Sequence, residues 1–157
     1  MMMIYYTSDL HFSHKNIILY CNRPFKDIDE MNECIIERWN NVIKPNDMVY
    51  LLGDVIMGLK KKSAPLVGRL NGHKHLIIGN HDEPKKLELI CKYFETIQMR
   101  ALIVDVGYEV LMHHISFELR GGNEGRINLC GHVHDEWVIN NDWINVGIDV
   151  FGKPVSL

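Results

Sequence analysis

Five short clusters of metal-binding side chains occur in order along the chain: Asp9-Leu10-His11, Gly53-Asp54, Gly79-Asn80-His81-Asp82, His113-His114 and Gly131-His132-Val133-His134. They offer carboxylate, imidazole and amide oxygen, which suit hard and borderline divalent cations. Each cluster stands at the end of an apolar run that reads as a strand. Ligands converging from several strand ends suggest two cations side by side. Two cations bridged by a carboxylate are suited to in-line displacement at phosphorus.

The clusters differ in weight. Asp9 and His11 are two apart, a spacing at which strand side chains share a face. His132 and His134 repeat that spacing behind Gly131, and two imidazoles so placed are the strongest local signal of a metal site. Asp54, at the mouth of an apolar strand, reads as a ligand or as a helix cap. Gly79 permits a sharp turn, Asn80 can offer its amide oxygen, and His81 can lean past the cations towards a leaving group. A plain turn is the alternative there. Asp82 can orient His81 or cap the following helix. His113 and His114 are adjacent, so a strand turns only one of them inward, and register alone does not choose.

The elements that must position these residues change character along the chain. Strands are expected at Met3 to Thr7, Met48 to Leu52 and Lys74 to Ile78. Helices are expected at Lys15 to Tyr20, after an Asp29 cap, at Leu59 to Leu70, and from Pro84 to about Tyr93. From Thr96 onward the chain reads as short strands: Ala101 to Val106, Glu109 to Met112, Ile127 to Cys130, Trp137 to Ile139 and Trp143 to Val146. Turns are expected at Gly107-Tyr108 and Asn140-Asn141-Asp142. Strand–helix alternation followed by strands suits a layered α/β domain with two packed sheets.

At 157 residues, one domain, 1–157, is expected. A 46% hydrophobic content supports a core, and the formal net charge of −3 disfavours duplex nucleic acid as a partner. A small anionic substrate fits, because bound cations reverse the sign locally. Cys21, Cys34, Cys91 and Cys130 are scattered and read as small residues of a reducing compartment. With no signal peptide and no run long enough for a membrane span, the expected location is cytoplasmic.

The five elements in this order resemble the calcineurin-like metallophosphoesterase superfamily, whose signature is D-x-H, GD, GNH[DE], a histidine after a strand, and GHxH. Phe12 to Ile18, Arg23-Pro24-Phe25 and the tail from Asn145 to Leu157 resemble a small bacterial and phage branch. The resemblance implies a four-layer α/β/β/α sandwich of two mixed sheets. It implies one cation held by Asp9, His11, Asp54 and His134, and a second by Asp54, Asn80, His113 and His132, with Asp54 bridging. Mn, Fe, Zn or Ni suit this set better than Mg or Ca.

The expected function is a dinuclear metal-dependent phosphoesterase acting through a metal-bridging hydroxide, with phosphodiesters favoured. His81 is the expected general acid, with Asp82 beside it. His14, Arg23, Arg120 and Arg126 are candidate substrate contacts, since arginine suits phosphate oxygens. The expected substrate is a small phosphoester, nucleotides included. The alternatives are a phosphomonoesterase, a non-catalytic metal-binding scaffold and a nuclease.

Overall fold

The computed structural model describes residues 2–58, 60–116 and 125–157. Its first half alternates strand and helix: β1 (Ile4–Thr7), α1 (Lys15–Tyr20), α2 (Ile28–Val42), β2 (Met48–Leu51), α3 (Lys60–Val67), β3 (His73–Ile77), α4 (Pro84–Ile90) and β4 (Thr96–Gln98). These strands form a parallel sheet in the order β1-β2-β3-β4. Parallel neighbours need crossovers, and the four helices supply them. The second half gives β5 (Arg100–Asp105), β6 (Tyr108–His113), β7 (Ile127–Cys130), β8 (Ile139–Asn140), β9 (Trp143–Asn145) and α5 (Ile148–Phe151). They make a mixed sheet, β5-β6-β7-β9-β8, in which β6, β7 and β9 run parallel.

Strand alternation divides the first sheet between two cores. Tyr5, Val49, Leu51 and Leu76 face the helices, where all five helices contribute, through Ile17, Trp39, Val67, Ile90 and Ile148 among others. Tyr6, Tyr50, Leu52 and Ile77 face the second sheet and meet Ala101, Val110, Met112 and Leu129. The architecture is α/β with two packed sheets. No helix of the described residues covers the outer face of the second sheet, where Leu102 is 51% and Val104 71% exposed.

Several boundaries differ from the sequence reading. Asp27, rather than Asp29, caps α2 by accepting from the Glu30 amide at 2.9 Å. The third helix ends at Val67, and the chain continues in tighter turns in which Gly68, Arg69 and Leu70 each bond three residues back. Its expected first residue, Leu59, lies outside the described residues. β4 was missed because three residues give little period to read, and its pairing with β3 is non-local. No helix of the described residues is long and apolar enough to cross a membrane.

Candidate metal centre

The parallel strands β1, β2 and β3 run into loops at the same edge, and β6 and β7 of the second sheet deliver two more. Asp9 and His11 were expected to share a strand face. Instead both adopt left-handed backbone, φ 60° and 51°, as do Asp54 at 56°, His132 at 71° and His134 at 49°. Such values are uncommon outside glycine and mark sites where surrounding structure holds strain. Cross-loop bonds supply that hold: the Asp9, His11 and Phe12 amides donate to the carbonyls of Gly53, Asp54 and Val55 at 3.1, 2.9 and 2.9 Å. Gly53, at φ +87°, and Gly79 let the second and third loops touch. A Cβ on Gly53 would lie 2.6 Å from the Gly79 Cα, and one on Gly79 would lie 2.3 Å from Asp54 Oδ1.

Two groups of ligand atoms result, and Asp54 stands between them. Asp54 Oδ2 is 3.5 Å from His11 Nε2 and 3.5 Å from His114 Nε2. On the first side, His11 Nε2 lies 3.8 Å from Asp9 Oδ1, and the His11 and His134 rings are 5.1 Å apart. On the second, Asn80 Oδ1 lies 2.9 Å from His114 Nε2 and 3.0 Å from His132 Nδ1. Ligand atoms of Asp9, His11 and His134, and of Asp9, Asp54 and His114, each lie within 4.8 Å of one another.

These residues could hold divalent metal. Asp9 Oδ1 and His11 Nε2 are buried and have no hydrogen-bond partner. Burying unpaired polar atoms is costly, and a cation is what facing lone pairs suit. Burial pushes the Asp9 carboxyl pKa up and the His11 imidazole pKa down to about 3, so His11 presents a neutral ring. Burial would also lower His114, but the hydrogen bond to Asp54 and the Asp9 and Asp54 charges raise it to about 9. Burial would raise Asp54, yet His114 and the His81 amide bring it down to about 2. The carboxylates thus draw positive charge into a buried place.

Three of the expected roles change. His113 is placed away from the group. Val110 and Met112 face the inter-sheet core, so alternation turns His113 to the opposite face of β6. Its Nδ1 meets the Ile115 carbonyl at 2.9 Å, and His114 occupies the position assigned to it. Asp82 neither orients the His81 ring nor caps α4, whose N-cap is Glu83. Its buried carboxylate accepts the amides of Asp54, Gly79 and Val55 at 2.8, 2.9 and 3.1 Å, tying the second loop to the third. Arg23 is also buried. It donates to Asp149 at 2.7 and 2.9 Å and to the carbonyls of Asp9 and Leu10 at 2.8 and 3.0 Å, which leaves little for a substrate.

The remaining candidates separate by place. His14 stands beside the site, its Nδ1 3.3 Å from His11 Nδ1. The exposed His81 ring lies 5.9 Å from that of His11. Arg126 precedes β7, at the end of the strand opposite the site, and pairs with Glu109 at 3.1 Å. Arg120 lies outside the described residues. Sequence reading missed Asp149, which accepts from His134 Nδ1 at 2.8 Å, and buried Asn145, which holds the His134 and Trp137 carbonyls at 2.7 and 2.9 Å. Both sit in the tail whose wording resembles the small bacterial and phage branch, and that was their only signal.

With this geometry in hand, comparison with known proteins adds kinship. Uncharacterized protein MJ1445 of Methanocaldococcus jannaschii is 39% identical over 168 residues, covering 100% of this chain and 88% of that protein. The Gene 66 protein of Mycobacterium phage L5 is 30% identical over 185 residues, covering 97% and 89%. This chain belongs to their family. No family model matches it. Among solved structures, AQ665 from Aquifex aeolicus superposes with a TM-score of 0.78 at 27% identity, over 99% of this chain and 96% of that one. A novel archaeal phosphodiesterase shares the fold at a TM-score of 0.52 and 17% identity, over 92% and 81%.

Proposed function

We propose that this protein is a dinuclear metal-dependent phosphohydrolase of the calcineurin-like metallophosphoesterase type, acting on phosphodiesters in preference to monoesters. The observation that carries the reading is the place of Asp54 Oδ2, 3.5 Å from an imidazole nitrogen of each ligand group. One cation would be held by Asp9, His11, Asp54 and His134, the other by Asp54, Asn80, His114 and His132. Bound there, two divalent ions supply Lewis acidity towards phosphoryl oxygens and make water a usable nucleophile near neutral pH. The four-layer architecture of that superfamily belongs to this same proposal.

The chain's own residues complete the chemistry. His81 is exposed at the mouth, its backbone amide fixed on Asp54 Oδ1 at 2.9 Å. Its imidazole gives a proton to the leaving oxygen, which matters most when that oxygen is a poor leaving group. Lys86 Nζ donates to the His81 carbonyl at 2.6 Å and holds the same loop from the helix side. His14 flanks the entry and suits a phosphoryl oxygen. Asp149 fixes the His134 ring through Nδ1 at 2.8 Å, which would leave Nε2 to hold a cation and raise its basicity as a ligand. Preference for diesters is supported by the fold shared with an archaeal phosphodiesterase.

The test is hydrolysis of bis-p-nitrophenyl phosphate and p-nitrophenyl phosphate by metal-stripped protein, with Mn²⁺, Ni²⁺, Zn²⁺ or Mg²⁺ restored. Metal-dependent turnover of the diester is expected. Turnover of the monoester alone would make it a phosphatase, and no turnover with any metal would overturn the enzymatic reading.

A further inference from the structure

A second constellation of imidazole and carboxylate lies at the other end of β3 from the metal centre. β3 begins His73-Lys74-His75, and strand alternation puts His73 and His75 on one face. Glu95, directly before β4, is brought alongside by the β3–β4 pairing, in which His75 stands opposite Thr96 and the Glu95 amide bonds the Lys74 carbonyl at 2.8 Å. The Glu95 carboxylate then spans both rings. Its Oε1 contacts His73 Nδ1, and its Oε2 lies 3.8 Å from His75 Nε2.

His75 shows that this is more than a surface ion pair. The residue is 9% exposed. Its ring stacks on Tyr50, with centroids 4.9 Å apart, and its Nδ1 is engaged by Thr96 Oγ1 at 2.9 Å. Both contacts fix its orientation. The remaining ring nitrogen, Nε2, is buried and has no hydrogen-bond partner. A metal-ligating histidine characteristically has its other ring nitrogen held by an oxygen partner, as Thr96 Oγ1 holds Nδ1 here.

We propose that His73, His75 and Glu95 form a second, peripheral binding site for a single borderline divalent cation of the Zn²⁺ class. Two imidazoles and one carboxylate match the donor preference of Zn²⁺ and leave a fourth position for water. His75 is the fixed ligand. His73 and Glu95 have side chains 50% and 52% exposed, so both can turn to close the coordination sphere around it. The ion would clip the edge strand β4 to β3. It has no part in hydrolysis, because the catalytic loops leave the opposite end of the strand.

The experiment is equilibrium Zn²⁺ binding and thermal unfolding of the full chain, compared among wild type, His73→Ala and Glu95→Gln. Wild type should bind one equivalent more than either variant, and Zn²⁺ should raise the wild-type Tm beyond the rise in the variants. Hydrolytic activity, where wild type shows it, should be unchanged in both. Equal stoichiometry in all three proteins would overturn the site. Because these variants leave the central ligands intact, that failure is separate from a failure of the hydrolase reading. Co²⁺ absorption gives a second readout: loss of one visible d–d band set in Glu95→Gln supports the site, and identical spectra contradict it.

Discussion

The two ends of β3 carry similar side chains in opposite states. At the C-terminal end, Asp9, His11 and Asp54 are buried to within 2% of full burial, their backbones are left-handed, and Asp82 on the Asp54 amide and Arg23 on the Asp9 carbonyl leave them little choice of position. At the N-terminal end, one histidine is fixed while His73 and Glu95 remain half exposed. A site that must align reacting atoms needs its ligands held before anything binds, and that rigidity comes from the supporting shell. A site that only clips two strands can let its ligands swing into place. Under the proposed function, the difference teaches which of two His/carboxylate clusters suits catalysis: the one whose backbone is strained and whose ligands are held by buried partners.

The comparison can be broken first at the fourth cluster. His114→Ala removes a buried ring that meets Asp54 and Asn80, so metal occupancy on that side and hydrolysis should both collapse. His113→Ala, on the opposite face of β6, should keep both within about twofold. Metal analysis and turnover of the two variants side by side check this, and the reverse result would return the role to His113.

His81→Ala should be next in size. It leaves the ligands in place, so both metals stay, while turnover of a poor-leaving-group diester falls by about 10²–10⁴-fold. Bis-p-nitrophenyl phosphate, with its good leaving group, should lose much less. Equal losses on both substrates would remove the proton-donor role.

Asp149→Asn should have the smallest effect of the three. The ring of His134 loses a charged partner, and metal affinity or activity should fall by about 10–100-fold, the usual cost of removing the group that orients a ligating histidine. Metal titration separates this from unfolding. A variant that binds as tightly as wild type would show that Arg23 and Asp149 serve the fold alone.

Much of the site was legible because its chemistry is written in residue types that cores avoid. Asp9, Asp54 and paired histidines behind glycines stand out against apolar strands whatever the tertiary structure. The strands themselves followed from apolar runs, to within one or two residues for most of them. What was not legible depends on facing. His113 and His114 differ by one residue, and only the inward turn of Val110 and Met112 decides between them. Asp27 and Asp29 are equally good caps until the chain chooses where α2 begins. Arg23 looked like a phosphate ligand because its type suits one; its partner Asp149 lies 126 residues further on, and no local pattern pairs them. Asp82 carried the right motif letter with a different task, since its three amide partners come from two loops that meet only after folding. The His73-x-His75 pair sits within an ordinary strand, and Glu95 reaches it only through the β3–β4 pairing.

The central claim is that one carboxylate, Asp54, joins two metal positions. The most direct measurement is metal content of Asp54→Asn against its parent, both carrying Glu95→Gln so that the peripheral site does not count. The parent should hold two equivalents and Asp54→Asn should lose both together, with diester hydrolysis lost alongside. A variant that loses one ion and keeps the other at full affinity would contradict the shared bridge.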